Sequence, residues 1–399
     1  MTPEVASHNA SDRNTSLPPN VMAAGWVSFF TDLGSELIYP LLPAFITGDL
    51  GASKTMLGLI EGLSEATPSV FKLLAGAWAD RVKNRKWLIF FGYLISSCIK
   101  PLIGLSTTAL QVLGLRFSDR IGKGIRTAPR DALIADSTPE PIRGKAFGFH
   151  RAMDHLGALG GGMVAWLLMR QLGMTIKDVI IFSVIPGVLC LVTILLMIHE
   201  VPERKLEEKS SISSGLSGLP SSFWKLLLGV GGFSIANSSD AFLLLRSREM
   251  GIDLVTIPLV WSFLHVVKAV TCYYGGKLSD RIGHRPVMAG GWFLYSGVYI
   301  GFALASGPAA VWVLFGIYGF FFGATEGVAK AWVAKLIPTE KRGTAFGLMG
   351  LLEGLLLLPS SLLTGYLWDQ SGSFLPLALA SAFSLLAAIW IMFAIPEKE

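Results

Sequence analysis

Arg143-Gly144-Lys145-Ala146-Phe147-Gly148 returns later in the chain as Arg342-Gly343-Thr344-Ala345-Phe346-Gly347, a shift of 199 residues. A second pattern, Gly76 followed by Asp80-Arg81, returns as Gly276 followed by Asp280-Arg281, a shift of 200. One repeated hexamer arises cheaply by chance. Two separated motifs that keep their order and nearly the same offset mark an internal duplication. The chain has 399 residues, so the offset divides it into two equal copies.

Composition says what each copy contains. Hydrophobic residues make up 52% of the chain and charged residues 15%, and the mean hydropathy is +0.56. Such a balance excludes an ordinary water-soluble globular protein. A helix that crosses a bilayer takes roughly 20 apolar residues, so twelve crossings fit this length with room for connectors. Apolar runs place crossings at 20–46, 55–78, 88–106, 109–135, 144–170 and 178–199, then at 223–246, 254–279, 286–305, 309–336, 343–367 and 373–395. The expectation is an all-α polytopic membrane protein of twelve transmembrane helices in two six-helix, pseudo-symmetric halves. A polar tail covers 1–19, the N-terminal domain 20–199, a linker 200–222 and the C-terminal domain 223–399. The linker begins Glu200-Val-Pro-Glu-Arg-Lys and continues rich in Ser and Gly, a composition that buries too little apolar surface to fold alone.

The net charge of +5 is read as topology rather than as a nucleic-acid surface, because Lys and Arg fall in short clusters between apolar runs. Arg81, Lys83, Arg85 and Lys86 follow the second crossing, Arg143 the fourth, Arg204 and Lys205 the sixth, Arg285 the eighth, and Lys341 and Arg342 the tenth. The alternate loops hold few. Both termini are therefore expected in the cytoplasm, with the chain in the cytoplasmic (inner) membrane. The first 19 residues lack the basic and apolar segments of a cleavable signal peptide. Cys98, Cys190 and Cys272 lie inside apolar runs without metal-ligand spacing, so they read as small buried hydrophobes rather than a zinc site or a disulfide framework. No metal and no cofactor is expected, and the energy source is a transmembrane proton gradient. The expected partners are the lipid bilayer, a small-molecule substrate and protons, with no nucleic acid and the chain as a monomer. No nucleophile–base spacing or phosphate loop points to an enzyme.

Gly276-Lys-Leu278-Ser-Asp280-Arg281-Ile-Gly283-His-Arg285 resembles the G-x-L-A-D-R-x-G-R-R loop of the major facilitator superfamily of secondary transporters. The first copy, Gly76-Ala-Trp78-Ala-Asp80-Arg81-Val-Lys83-Asn-Arg85, lacks the second glycine. The resemblance covers essentially the whole chain and implies the twelve-helix fold, with these loops as a cytoplasmic gating latch. Arg116 fits the arginine of the family's fourth span, while Arg120 stands where that pattern has glycine. Gly157-Ala-Leu-Gly160-Gly161-Gly162 is similar to the glycine motif of antiporters without its proline. Family habit also implies an acid in the middle of span 1 as a coupling site, which is Asp32 here.

Ionisable groups inside a bilayer are expensive unless they face the bundle interior or a wet cavity, so they are candidate functional groups. On span 4, Arg116, Asp119, Arg120, Lys123, Arg126, Arg130 and Asp131 fall within an arc of roughly 140° of the helix. Span 1 puts Ser28, Asp32, Glu36 and Tyr39 on one face, and span 2 does so with Glu61, Glu65 and Lys72. These carboxylates either neutralise the basic stripe or carry protons, since an acid that moves between a desolvated site and one beside a cation takes up and releases a proton. Span 5 adds His150, Arg151, Asp154 and His155, with Asp154 a further coupling candidate. The C-terminal half is sparser, with Asp240 after Asn237-Ser-Ser, Arg246, His265, Lys268, Glu326, Lys330 and Glu353. Glu326 and Lys330 stand four apart, so they either pair along their helix or serve the cavity. Where span 4 carries charge, span 10 carries rings, among them Phe315, Tyr318 and Phe320 to Phe322.

The function expected from these residues is secondary active transport by alternating access. The solute is a small polar, anionic or zwitterionic organic molecule (a siderophore, metabolite or drug). Its charge is held by Arg126, Arg130, Lys268 or Lys330 and its body by rings. Proton coupling and export are favoured. Uptake symport of an organic anion, or a non-transporting binding protein with the same fold, are the alternatives.

Overall fold

A computed structural model describes residues 16–79, 85–200, 218–338 and 341–395. Among the described residues the N-terminal half holds α1 (Pro19–Ile38), α2 (Lys54–Ala79), α3 (Arg85–Ile103), α4 (Ala109–Asp136) and α5 (Arg143–Leu172), with α6 over Ile176–Met197. In the C-terminal half α7 covers Ser221–Glu249 and is followed by α8 (Ile257–Ile282), α9 (His284–Leu304), α10 (Pro308–Leu336), α11 (Arg342–Ser371) and α12 (Phe374–Ala394). No strand occurs among the described residues. Eight of these helices, α3 and α6 to α12, are long and apolar enough to cross a membrane. The other four are the ones on which the sequence concentrates charge.

Local chemistry sets the ends and breaks. Thr108 and Gln111 form a reciprocal capping box at the start of α4, as do Thr175 and Asp178 at α6. Span 1 was expected to run unbroken to residue 46. Pro40 and Pro43 remove two backbone donors, and the chain continues past α1 as a 3₁₀ turn over Tyr39–Leu41 and a π turn over Phe45–Asp49. The polar run Asn237 to Asp240 interrupts α7. The carbonyls freed there are taken up by side chains, Ser360 Oγ donating to Ile235 O at 2.8 Å and Tyr295 Oη to Ala236 O at 3.2 Å.

The duplication persists in three dimensions. Arg143 Nε donates to Thr138 O at 3.4 Å, and 199 residues later Arg342 Nε donates to Ile337 O at 3.2 Å. Lys86 Nζ reaches Leu195 O at 3.0 Å, and Arg285 Nη1 reaches Ile395 O at 2.7 Å. Gly124 of α4 lies against Phe71 of α2, and Gly323 of α10 lies against Thr271 of α8.

Asn20 at the start of α1 donates to Ser137 Oγ at 3.0 Å and His199 O at 2.9 Å, so the start of α1 and the ends of α4 and α6 share one end of the bundle, here the terminal side. Several ties between halves lie in the opposite, far part, and α2 and α11 stay close as far as Ser69 and Gly354. Asp369 of α11 accepts from the backbone N–H groups of Lys54 and Thr55 at 3.0 and 2.8 Å and from Thr55 Oγ1 at 2.6 Å, capping α2 from the other half. Ser262 Oγ of α8 donates to Leu159 O of α5 at 3.0 Å. Gly58 and Gly62 of α2 bring the backbone close to Ser361 and Leu358 of α11.

Candidate functional site

The charges of the N-terminal half converge on one another, because α1, α2 and α5 turn their polar faces toward the basic face of α4. Glu61, fully buried, receives Arg116 Nη2 on Oε1 at 2.9 Å. Asp119 lies 3.7 Å from Arg120 Nε, and Arg130 donates to its chain neighbour Asp131 at 2.8 Å. Arg126 donates to Ser96 Oγ and stacks its guanidinium 4.2 Å from the Tyr93 ring centroid. Asp154 accepts from Ser28 Oγ and lies 3.6 Å from His150 Nδ1 and 3.5 Å from Arg151. Asp32 faces Asp154, Glu36, Lys123 and Lys100 but makes no hydrogen bond or ion pair among the described residues.

Three acidic side chains work at the seam between halves. Glu36 accepts from Trp261 Nε1 of α8 at 2.8 Å and lies 3.8 Å from His265 Nε2. Glu61 is reached on its second oxygen by Ser239 Oγ from the break in α7 at 3.5 Å. Ser239 in turn meets Tyr39 Oη at 3.2 Å and donates its backbone N–H to Ser361 Oγ at 3.1 Å. Asp240 beside it accepts from Tyr318 Oη at 2.6 Å. One chain of contacts thus links α4, α2, the turn after α1, the break in α7 and α11.

A cavity of about 640 Å³ lies where the C-terminal helices face the N-terminal half, lined mostly by the C-terminal half and on the other side by Tyr39, Glu65 and Ser69, and its volume is within the range of small-molecule sites. Its inner end is the α7 break with Asp240, Tyr39 and Tyr318, and its wall continues past Glu65, Lys268, Phe322 and Glu326 to Glu353 and Lys330. The last two are exposed, toward the terminal side. Lys268 Nζ lies 3.2 Å from Glu326 and 4.0 Å from the Phe322 ring centroid.

Several expectations change in place or partner. Glu326 pairs with Lys268 on the neighbouring α8 rather than with Lys330 along its own helix. Lys268 and Lys330 line the cavity, whereas Arg126 and Arg130 do not belong to its wall, because Arg126 is held by Ser96 and Tyr93 and Arg130 by Asp131. Arg116, Asp119 and Arg120, placed in the cavity by sequence, are buried within the N-terminal half, since Glu61 and Asp119 offer closer counter-charges than a solute would. Lys123 is exposed and lies beside Glu65 and Asp32. Phe321, Phe322 and Tyr318 line the cavity, while Phe315 is buried and Phe320 is 56% exposed.

Of the resembling loop, Asp80 and Arg81 lie outside the described residues, and Gly76 falls in the last turns of α2. In the second copy the close helix approach falls at Gly275, where a side chain would run into the Gly323 carbonyl, and a Cβ at Gly276 would meet nothing within 4 Å. Gly283 takes φ +94° between α8 and α9, a conformation that favours glycine.

Lys100 was missed. It is 7% exposed and donates to Thr31 O at 3.2 Å beside the Asp32 face. Its signal was a lone lysine inside an apolar run. Tyr39, Ser239 and Trp261 join the seam, and the polar Asn237–Asp240 run inside an apolar span was the readable sign of that region.

Comparison with known proteins agrees with this architecture. The family model of the Major Facilitator Superfamily matches residues 24–358. An uncharacterised MFS-type transporter of Methanocaldococcus jannaschii is 34% identical over 402 residues, covering 98% of this chain and 100% of the relative. A hexuronate transporter of Bacillus subtilis is 22% identical, covering 83% of each chain. Among solved structures, a bacterial homologue of the human lysosomal transporter Spinster, in an inward-facing and occupied conformation, superposes with a TM-score of 0.78 at 16% identity, covering 94% of this chain and 96% of that one. The chain belongs to the major facilitator superfamily of membrane transporters.

Proposed function

We propose that the protein moves a small polar organic solute across the cytoplasmic membrane by alternating access, driven by protons and in the direction of export. The observation that carries this reading is the cavity between duplicated halves, tied shut on the far side by Asp369 with Lys54 and Thr55 and reaching toward the terminal side at Lys330 and Glu353. With the termini and the Lys- and Arg-rich loops in the cytoplasm, this is an inward-open state. Opening to the other side requires the far-side ties to part and the terminal halves of α2, α4, α8 and α10 to meet.

Asp32 is the first candidate for the proton. Without a fixed hydrogen bond, and between two acids and two lysines, its environment changes whenever α1 moves against α4 and α5. Glu36, Glu61, Glu65 and Asp154 are further candidates, of which Glu61 is the most tightly committed to an arginine. The test begins with a thermal-shift screen of metabolites, siderophores and drugs, since a ligand stabilises the state it binds. Hits then go into proteoliposomes with and without a pH gradient. Asp32→Asn is expected to lose gradient-driven accumulation while keeping exchange. If Asp32→Asn accumulates solute at the unaltered rate and pH dependence, Asp32 is not the proton site; if no stabilising solute undergoes counterflow in the unaltered protein, the transport proposal fails.

A further inference from the structure

Asp240 stands at the inner end of the cavity with a single fixed partner. Tyr318 Oη donates to its Oδ1 at 2.6 Å, and Oδ2 has no hydrogen bond or ion pair among the described residues. Each of the other carboxylates on the cavity wall has beside it a cation of the protein that is either paired with it or not already paired with another acid. Lys268 lies 3.2 Å from Glu326, Glu65 faces Arg120 and Lys123, and Glu353 faces Lys330. Among the described residues Asp240 is met at hydrogen-bond distance by a neutral phenol only, and Lys268, the cation that acts on it from farther off, is already paired with Glu326. An anion withdrawn from bulk water needs either a counter-charge or a proton, and the described residues supply no cation within salt-bridge distance of Asp240.

The surroundings say what kind of counter-charge fits. Tyr39, Phe322 and Trp292 share the cavity wall with Asp240 and Tyr318. Ring faces carry negative potential that attracts ammonium and repels carboxylate. The same wall already holds one cation in this way, Lys268 Nζ at 4.0 Å from the Phe322 centroid.

We propose that Asp240 seats a protonated amine of the solute, which is therefore an organic cation or zwitterion with an aromatic or other flat apolar body. This rests on the cavity being the transport site, and of the anionic or zwitterionic solute expected from sequence it keeps the zwitterion and replaces the plain anion by a cation. The amine bonds to Asp240 Oδ2, the Tyr318 hydroxyl holds Oδ1 in place, and the apolar body lies on the rings toward the terminal side.

The test uses the full-length purified protein with probes that share one ring: 2-phenylethylamine (amine only), 3-phenylpropionate (carboxylate only) and phenylalanine (both), together with a panel of amines and carboxylates matched in size. Amines are expected to raise the unfolding midpoint and carboxylates without an amine to leave it unchanged. Asp240→Asn is expected to weaken amine binding about tenfold or more, and Asp240→Glu to restore part of it. A panel in which only carboxylates stabilise the protein, or in which no amine does, overturns the proposal, as does unchanged amine binding in Asp240→Asn. The charge selectivity of the unaltered protein decides the matter if Asp240→Asn does not fold. Counterflow in proteoliposomes separates the two readings. Amine binding without counterflow contradicts transport and leaves the amine seat standing, and counterflow of carboxylates alone contradicts the seat and leaves transport standing.

Discussion

In the N-terminal half, Gly92 of α3 packs on Arg126, whose guanidinium covers the Tyr93 ring. At the matching place in the C-terminal half, 199 residues on, Gly291 of α9 packs on Thr325, whose hydroxyl turns back to Phe321 O at 2.8 Å. The backbones meet in the same way and the side chains share nothing. The same holds for the buried pair of Glu61 and Arg116, whose counterparts at offsets of 200 and 199 are Trp261 and Phe315. The C-terminal interior is a cluster of rings, with Phe233 stacked on Trp292 at 4.8 Å and Tyr295 on Tyr299 at 4.0 Å. Small residues at helix crossings preserve the duplicated frame. What fills the space between crossings is free to diverge, toward charge in one half and toward aromatic packing in the other.

The comparison breaks most visibly at Glu61. Glu61→Gln or Arg116→Met leaves one buried charge without its partner, and each is expected to lower stability by about 3–5 kcal/mol. The double variant Glu61→Gln with Arg116→Met is expected to lose less than the two singles together, since no lone charge remains. Thermal unfolding in detergent reads this, and additive losses would show that the pair is not a unit.

Next come the crossings. Gly275→Ala drives a methyl into the Gly323 carbonyl, whereas Gly276→Ala faces open space. The first is expected to lose about 1–3 kcal/mol and the second to be near neutral, as unfolding midpoints will show. Equal losses would mean that the frame does not depend on that contact. Gly124→Leu and Gly323→Leu, at matching crossings, are expected to be harmful alike, because the frame is common to both halves.

The far-side cap is a smaller effect on stability with a larger one on conformation. Asp369→Ala removes three hydrogen bonds that cross between halves and is expected to weaken the closed far side by about 1 kcal/mol. Maleimide labelling of a cysteine at Thr55 should then speed up. An unchanged labelling rate would place the closure elsewhere.

The smallest effect is at Asp253, in the loop before α8. Burial pushes its carboxyl up, but hydrogen bonds from the Thr256 hydroxyl and N–H outweigh that and hold it below the ordinary carboxylate value. A lowered value in the folded state means that these hydrogen bonds contribute fully above the unfolded carboxylate value, about 3.9, and that their contribution is lost as pH falls through the lower, folded value. Asp253→Ala is expected to cost about 0.5 kcal/mol at neutral pH. The difference from the unaltered protein should shrink only in acid below about pH 4. A difference that persists there would contradict the assignment.

The frame was legible because it depends on quantities a sequence displays directly: apolar length, the offset between copies and the turn residues between helices. Which face of α4 carries charge was legible too, since helical period alone sets it. Partners were not. Period places Glu326 on a face but does not say which helix lies across from it, and Lys268 comes from α8. Arg126 and Arg130 looked like solute ligands because seven charges shared a face, and nothing local showed Tyr93 and Ser96 waiting on α3. The far-side cap joins residues more than 300 apart through backbone N–H groups, which leave no mark in side-chain pattern. Lys100 was visible and overlooked.

The central claim is that one cavity between unlike halves is reached from one side at a time. It is tested most directly by crosslinking Thr55→Cys to Asp369→Cys in a chain whose Cys98, Cys190 and Cys272 are replaced, while a cysteine at Lys330 is probed with a membrane-impermeant maleimide in oriented vesicles. With the far side locked, the Lys330 position should label at full rate from the terminal side and not from the other, and transport of any identified solute should stop. Labelling from the far side, or transport at an unchanged rate in the locked protein, would contradict the account.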